Sequence, residues 1–176
     1  MSGAPDAVPS SAPRGHLRWL WLSAAVLVID QVTKQLAVHY LPYATPIPVL
    51  PFLDLTLVHN TGAAFSFLSG ASGWQRWLLS AIAAAIGVAI IIWLRRLPAR
   101  AGWQPPGFAL ILGGALGNLS DRIVQGYVID FIDCYYRHWH WPAFNVADSA
   151  IMIGAALLIL DVMRPKRASR DPNDER

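Results

Sequence analysis

The stretch from Trp77 to Leu94 reads WLLSAIAAAIGVAIIIWL, an uninterrupted run of apolar and small residues that ends at Arg95 and Arg96. A helix rises about 1.5 Å per residue, so a run of this length is close to the roughly 20 residues needed to cross the apolar part of a bilayer. The composition agrees: 55% of the residues are hydrophobic and 14% are charged, against about 25% charged in soluble domains. The sequence therefore predicts a membrane protein.

Three further segments are predicted to span the membrane with this one. They run from Leu17 to Tyr40, from about Pro106 to Ile123 and from about Phe144 to Met163. The first is not predicted to be a cleaved signal peptide, because no small-x-small site follows its apolar core. The Pro106 to Ile123 segment is rich in glycine, which lets membrane helices approach closely.

Almost all of the basic residues that flank these segments lie on the same side of the predicted membrane as the two termini. Lys and Arg precede the first segment, separate the second from the third and follow the fourth, whereas the loops at 41–73 and 124–142 contain only Arg137. By the positive-inside rule, both termini are predicted to be cytoplasmic and the two loops to lie outside. We expect a disordered N-terminus over residues 1–14, a four-helix transmembrane domain over 15–163 and a basic, polar tail over 164–176.

The basic residues occur as short clusters beside apolar runs, and the net charge is only +3, which argues against a nucleic-acid-binding surface. Cys134 is the single cysteine, so an internal disulfide is excluded and the residue is interpreted as a packing side chain.

The stretch from Val49 to Val58 is typical of short strands at the membrane surface. Trp139 and Trp141 in the second outer loop are typical of an interfacial aromatic belt.

Polar side chains from five segments are predicted to reach one membrane depth, on the outer side. Ionisable groups there are costly and usually mark function. Helical spacing places Asn118 with Arg122 on one face, Asn145 with Asp148 on another, and brings Asp30 within reach of Lys34. The set comprises Asp30, Lys34, Asn60, Asn118, Asp121, Arg122, Asp130, Asp133, Asn145 and Asp148. For Asp30, Lys34 and Asp121, an ion pair or cap at a helix end is an equally good interpretation.

Asp130 and Asp148 are the candidates for chemistry. Two carboxylates that lie close together share a proton, because ionising both is unfavourable. One can then act as a general base on water while its protonated partner polarises a carbonyl group. This is peptide hydrolysis without a covalent intermediate.

Other chemistries fit less well. A His-Glu-x-x-His zinc site is excluded because the only glutamate is Glu175 in the tail. A serine mechanism is disfavoured because no histidine has a diagnostic spacing from Ser66, Ser120 or Ser149. Metal binding by loop histidines is less favoured than an interfacial position; these are His59, His138 and His140. We expect no metal and no cofactor.

Two other classes of membrane protein fit the sequence less well. A proton-coupled transporter or channel would distribute its acids along a transmembrane path, but here they cluster at one end, with Asp161 as the counterexample. A purely structural membrane subunit would leave the polar cluster unexplained.

Five motifs occur in a fixed order between Leu17 and Met163. They are DQxTK at 30–34, NTGAAF at 60–65, GGxxGNxxDR at 113–122, VIDF at 128–131 and FNVADS at 144–149. Together they strongly resemble the motif series of bacterial lipoprotein signal peptidases, also called signal peptidase II.

The resemblance implies an all-α membrane protein with four transmembrane helices, a small extracytoplasmic β-cradle and a short periplasmic helix. It implies an aspartic endopeptidase of the bacterial inner membrane that cleaves prolipoproteins before a diacylglyceryl-modified cysteine, with Asp130 and Asp148 as the catalytic dyad on the outer side. The supporting residues would be Asp30, Lys34, Asn60, Gly62, Asn118, Asp121, Arg122 and Asn145. The expected partners are prolipoproteins, membrane lipids and inhibitors of the globomycin type, with no nucleic acid, and we expect a monomer.

Overall fold

The structure is a computed structural model that describes residues 15–62, 73–99 and 101–164. The N-terminal lead and the basic tail therefore lie outside the described residues, apart from Arg164. The short periplasmic helix expected in the first outer loop would also fall there, because residues 63–72 are not described and those from 41 to 62 contain no helix.

In the described residues, four long helices form a bundle with a small sheet at one end. A short 3₁₀ helix, Leu17–Trp19, leads into the first of them. The helices are α1 (Leu20–Tyr40), α2 (Trp74–Arg96), α3 (Gln104–Val124) and α4 (Val146–Met163). The strands are β1 (Ile47–Leu50), β2 (Leu53–Asn60), β3 (Val128–Tyr136) and β4 (Trp139–His140). Each predicted apolar segment is therefore a helix, within a few residues of its predicted bounds.

The α3 helix packs against the other three because its small residues allow close approach. A Cβ atom added to Gly113 would lie 2.7 Å from Val26 Cβ on α1. One added to Gly114 would lie 2.8 Å from Ile151 Cγ1 on α4. The predicted role of these glycines in helix packing is confirmed.

Two of the helices, α2 and α4, are long and apolar enough to cross a membrane, with mean hydropathies of 2.5 and 2.0. The α1 helix has the same length as α3 but carries Asp30 and Lys34, both of which are fully buried. Most of the residues that α1 exposes are apolar, among them Val28, Val32 and Leu36, and the polar exceptions, Gln35 and His39, lie toward its sheet end. The charges of α1 are thus turned into the protein, and its outward surface is suited to lipid.

The sheet is antiparallel with the order β1-β2-β3-β4. It lies where α1 and α3 end and where α2 and α4 begin, which we call the sheet end of the bundle. Apolar side chains pack one face of the sheet against α1; they are Ala37, Leu57, Ile129 and Phe131. The predicted strand segment from Val49 to Val58 is confirmed, although a turn at 51–52 divides it into β1 and β2.

The sequence analysis did not predict β3, which lies in the loop interpreted as an aromatic belt. In the register of the sheet, Val58 of β2 is opposite Asp130 of β3. Asp130 therefore lies within a paired strand. The exposed aromatic residues Tyr136, Trp139 and Trp141 come later in the chain, from the end of β3 onward. The β-branched and aromatic residues of VIDFIDCYY were the signal for this strand.

Candidate active site

Asn145 precedes α4 and links the two candidate catalytic residues. Its side-chain oxygen accepts a hydrogen bond from Asp148 N at 2.9 Å, and Asp148 Oδ2 accepts one from Asn145 N at 3.3 Å. This reciprocal capping box satisfies backbone N–H groups that the first helical turn leaves unpaired. The cap leaves the Asn145 Nδ2 group free to point at β3, where it donates to Asp130 Oδ1 at 2.7 Å.

Asp130 is almost completely buried, with 2% of its surface exposed. Its two oxygens accept hydrogen bonds from Asn145 Nδ2 at 2.7 Å and from Asn60 Nδ2 at 2.8 Å. Burial raises the pKa of Asp130 to about 7, and the negative charge of Asp148 adds to the rise, whereas the two amide donors oppose it. Near neutral pH this carboxyl group can therefore hold or release a proton.

Asp148 has a different environment from Asp130. It is the third residue of α4 and is partly exposed. Its Oδ1 atom accepts a 2.7 Å hydrogen bond from Asn118 Nδ2, in addition to the bond between its Oδ2 atom and Asn145 N. The N-terminal end of a helix carries a partial positive charge, which favours an ionised carboxylate. The structure thus brings both predicted aspartates into one hydrogen-bonded group.

Lys34 forms a buried ion-pair cluster beneath this group. Its ammonium nitrogen lies 2.8 Å from Asp30 Oδ2, 2.8 Å from Asp121 Oδ2 and 3.0 Å from Asn118 Oδ1. The predicted pairing of Asp30 with Lys34 is confirmed. Because the ammonium group has three N–H donors, each of them has a partner.

The remaining carboxylate oxygens of the cluster hold the neighbouring elements in place. Asp30 Oδ1 accepts the backbone N–H of Ala147 in α4 at 2.9 Å, and Asp121 Oδ2 accepts that of Ile129 in β3 at 3.2 Å. Gln31 donates to Asp121 Oδ1 at 2.9 Å and is a site residue that sequence reasoning missed. The cluster therefore fixes the segments that carry Asp130 and Asp148.

Arg122 and Asn118 share a helix face, as their spacing predicts. Arg122 Nη1 donates to Asn118 O at 3.2 Å. The positive charge of Arg122 also acts on the nearby carboxylates, Asp148 most strongly. Arg122 is thus the cation close to Asp148.

Gly62 orients Asn60 in the loop after β2. The backbone N–H of Gly62 donates to Asn60 Oδ1 at 2.9 Å, which leaves the Asn60 Nδ2 atom to donate to Asp130. Gly62 has a φ of +109°, a conformation that side chains disfavour, so glycine suits this turn.

The histidine and serine residues considered for other chemistries make the following contacts. The His59 ring stacks on Tyr127 with centroids 4.0 Å apart, and His140 Nδ1 lies 3.0 Å from Asp133. Ser149 donates its hydroxyl to Asn145 O at 3.0 Å. Within residues 15–62, 73–99 and 101–164, no group of three or more His, Cys, Asp or Glu could hold a metal ion. Ser66 lies outside the described residues.

Solved structures with this architecture exist. Two of them, each described as a bacterial membrane enzyme, superpose with TM-scores of 0.71 and 0.72 at 30% sequence identity. The first covers 85% of this chain and 94% of its own. The helical bundle, the small sheet and the buried polar site therefore place the chain among membrane enzymes.

The family follows from sequence comparison. The family model described as Signal peptidase (SPase) II matches residues 22–164, and the chain belongs to this family. The lipoprotein signal peptidase of Alteromonas mediterranea is 54% identical over 148 residues, which cover 84% of this chain and 81% of the relative. That of Acinetobacter baylyi is 56% identical over 146 residues, with coverages of 83% and 82%.

Proposed function

We propose that this chain is an integral membrane aspartic endopeptidase that removes signal peptides from prolipoproteins, cleaving before a diacylglyceryl-modified cysteine. The family and the similar lipoprotein signal peptidases support the substrate class. The observation that carries the mechanism is that Asp130 and Asp148 meet through the amides of Asn118 and Asn145, while Asp130 has a pKa raised to about 7.

The proposed reaction uses one ionised and one protonated carboxyl group. The ionised group takes a proton from water as the water oxygen attacks the scissile carbonyl carbon. The protonated group donates its proton to the carbonyl oxygen, which gives a tetrahedral diol. Breakdown of the diol transfers a proton to the leaving amide nitrogen and regenerates one protonated and one ionised aspartate.

A lipid-anchored substrate suits a site at the end of a membrane bundle. An apolar cleft lies between α1 and the sheet, beside Phe131, the residue that follows Asp130. Its lining residues are Thr33, Leu36, Ala37, Tyr40, Leu41, Leu55 and Phe131. We propose that this cleft receives apolar parts of the substrate. Holding the substrate there and in the lipid would reduce the entropy that is lost when the peptide is brought to the two aspartates.

The proposed topology has four spans with both termini in the cytoplasm. The apolar outward surfaces of α1, α2 and α4 support lipid contact. The basic residues at the end of the bundle opposite the sheet, including Arg95, Arg96 and Arg164, support a cytoplasmic position for that end. The sheet end and its aspartates would then lie on the outer side of the bacterial inner membrane. We propose further that globomycin-type peptides bind at this end and that the enzyme acts as a monomer.

The test is cleavage of a purified diacylglyceryl-modified prolipoprotein by the detergent-solubilised enzyme. Asp130→Asn and Asp148→Asn are each expected to lower kcat by more than about a hundredfold, since neither can exchange the proton that acid–base catalysis requires. Asp133→Asn is the matched control, because Asp133 lies on the same strand but pairs with His140. Cleavage at the wild-type rate by either dyad variant would overturn the proposal.

A further inference from the structure

The Asn118 amide has its orientation fixed by Lys34. A lysine ammonium group can only donate hydrogen bonds, so the atom facing it at 3.0 Å must be the Asn118 oxygen. The Asn145 Nδ2 group donates to the same oxygen at 3.2 Å. The Asn118 nitrogen is therefore turned to the other side, where it lies 2.7 Å from Asp148 Oδ1.

An amide N–H bonds most strongly to an acceptor that is ionised. Asp148 receives this donor, the backbone N–H of Asn145 and the positive end of α4 together. It is also partly exposed to solvent and is the carboxylate on which Arg122 acts most strongly. Asp148 thus lies among hydrogen-bond donors and positive charge.

Asp130 has fewer features that favour a charge. It lies on β3 rather than at a helix N-terminus, and it is 2% exposed. Its two hydrogen-bond donors among the residues described here are the neutral amides of Asn60 and Asn145. Loss of solvation opposes ionisation of a carboxyl group at such a position.

We propose that Lys34 is a positioning residue that polarises the aspartate pair: by orienting the Asn118 amide, it keeps Asp148 as the ionised general base and leaves the proton on Asp130. This inference rests on the proposed peptidase function, and it assigns a separate role to each aspartate. Lys34 does not contact Asp148 and acts through Asn118.

Other charges near the pair enter the argument. On α1 and α3, the Lys34 charge is shared with Asp30 and Asp121. It also acts on Asp130, where it lowers the pKa and so opposes the rise caused by burial. Arg122 is the second nearby cation. On β2, His59 is stacked on Tyr127 and lies opposite Ile129, next to Asp130. Within the described part of the chain, the titratable or charged groups around the pair are thus Asp30, Lys34, His59, Asp121 and Arg122. No hydrogen bond from any of these five groups to Asp148 is seen there, so the test is directed at the hydrogen bond from Lys34 to the Asn118 amide.

The test is the pH dependence of kcat/KM for the double variant Lys34→Met/Asp121→Asn. Asp30, Asp121 and Lys34 together carry one net negative charge, and the double variant retains one, on Asp30. It therefore removes the donor to Asn118 without leaving two unpaired carboxylates. The acidic limb of the profile reports the group that must be ionised. Asn118 keeps the Asn145 Nδ2 donor in this variant, so its hydrogen bond to Asp148 is weakened and not removed. We therefore expect the acidic limb to move to higher pH by up to about one unit. The basic limb should stay in place, because the net charge of the cluster is unchanged.

Lys34→Gln/Asp121→Asn is the matched rescue variant, because glutamine keeps an N–H donor for Asn118 and should restore the acidic limb. Ser23→Ala is the structural control. It removes a 2.8 Å hydrogen bond from α1 to Ala109 of α3, far from the site, and should leave both limbs unchanged. If the Lys34→Met double variant does not fold in detergent, Asn118→Ala removes the donor to Asp148 outright, and it is expected to shift the acidic limb in the same direction by at least as much.

A lower kcat at every pH with both limbs in place, in a folded variant, would overturn the inference, as would movement of the basic limb alone. These outcomes differ from failure of the proposed function. In that case Asp130→Asn and Asp148→Asn would themselves cleave the lipidated substrate normally, whatever the Lys34 variants do.

Discussion

Asn145 Nδ2 lies 2.7 Å from Asp130 Oδ1, and the oxygen of the same amide accepts the backbone N–H that begins α4 at Asp148. One side chain therefore caps a helix and holds a carboxyl group of the neighbouring strand. Because the cap determines which way the amide points, the first turn of α4 is coupled to the position of Asp130.

Asn145→Ser separates these two roles. Serine caps a helix about as well as asparagine, so the melting temperature should change little, whereas Asn145→Ala should cost about 1 kcal/mol of stability. Neither variant has an amide to donate to Asp130, and both should lower kcat by at least about tenfold, as expected for loss of a hydrogen bond to a charged or reacting group. The measurements are thermal unfolding in detergent and the prolipoprotein cleavage assay. Wild-type kcat in a folded Asn145→Ser enzyme would contradict the positioning role.

The helices could be predicted from sequence because hydropathy over a long window is a strong signal. The run from Trp77 to Leu94 has no charge, and its helix extends only to Trp74 and Arg96. The ion pair of Asp30 with Lys34 was also predictable, since their spacing of four residues places them on one helix face. Local spacing was sufficient in both cases.

Contacts between distant segments were less predictable. The strand β3 was missed because its pairing with β2 joins residues about 70 positions apart, as for Val58 and Asp130. Gln31 was not predicted to be a site residue, because an uncharged amide in an apolar helix is a weak signal in a sequence. In the structure it donates a hydrogen bond to Asp121 on α3. The predicted motifs identified which residues meet, but not which atom donates to which.

The raised pKa of Asp130 predicts how stability depends on pH. A carboxyl group with a pKa of about 7 in the folded protein, and near 3.9 when unfolded, binds more protons in the folded state between those values. Its contribution to stability is therefore fully present below about pH 4 and is lost as the pH rises to about 7. Asparagine does not titrate, so Asp130→Asn does not lose stability in this way as the pH rises. The free energy of unfolding of the variant, relative to wild type, should therefore be higher at pH 8 than at pH 5. One pKa unit corresponds to about 1.4 kcal/mol, so the effect is expected to be on the order of a few kcal/mol.

The measurement is the difference in melting temperature between Asp130→Asn and wild type at the two pH values, in the same detergent. Ser23→Ala serves as the comparison, because it removes a buried hydrogen bond between α1 and α3 that involves no titratable group. An equal effect of Asp130→Asn at pH 5 and pH 8 would show that Asp130 is not a buried group of raised pKa.

Gly114 allows α3 to approach the start of α4. In Gly114→Ala the new Cβ atom would meet the backbone oxygen of Ala147 and lie 2.8 Å from Ile151 Cγ1. The helices must then separate, which should cost about 1–3 kcal/mol and lower cleavage by shifting the residue before Asp148. Gly87→Ala on α2 is the matched control, because its nearest contact would be Leu112 Cδ1 at an ordinary 3.4 Å. The measurement is the melting temperature of each variant, and that of Gly114→Ala should be clearly lower than that of Gly87→Ala. Equal melting temperatures would contradict the close-packing role of Gly114.

Substitution of Asp161 distinguishes the proposed peptidase from a proton-coupled transporter, in which the acids of the bundle would form one proton path. It lies in the last turn of α4 and accepts hydrogen bonds from Trp103 N at 2.8 Å and from Gln104 Nε2 at 2.9 Å. These contacts tie the end of α4 to the residues at the start of α3, so Asp161 has a structural role away from the sheet end. Asp161→Asn keeps an acceptor oxygen and should cleave prolipoprotein with kcat/KM within about twofold of wild type. Asp161→Ala loses both hydrogen bonds and should lower stability by about 1 kcal/mol while the folded fraction stays active. A transporter that relays protons through its acids would instead lose function in Asp161→Asn as completely as in Asp130→Asn, and such a loss of cleavage would reopen that alternative.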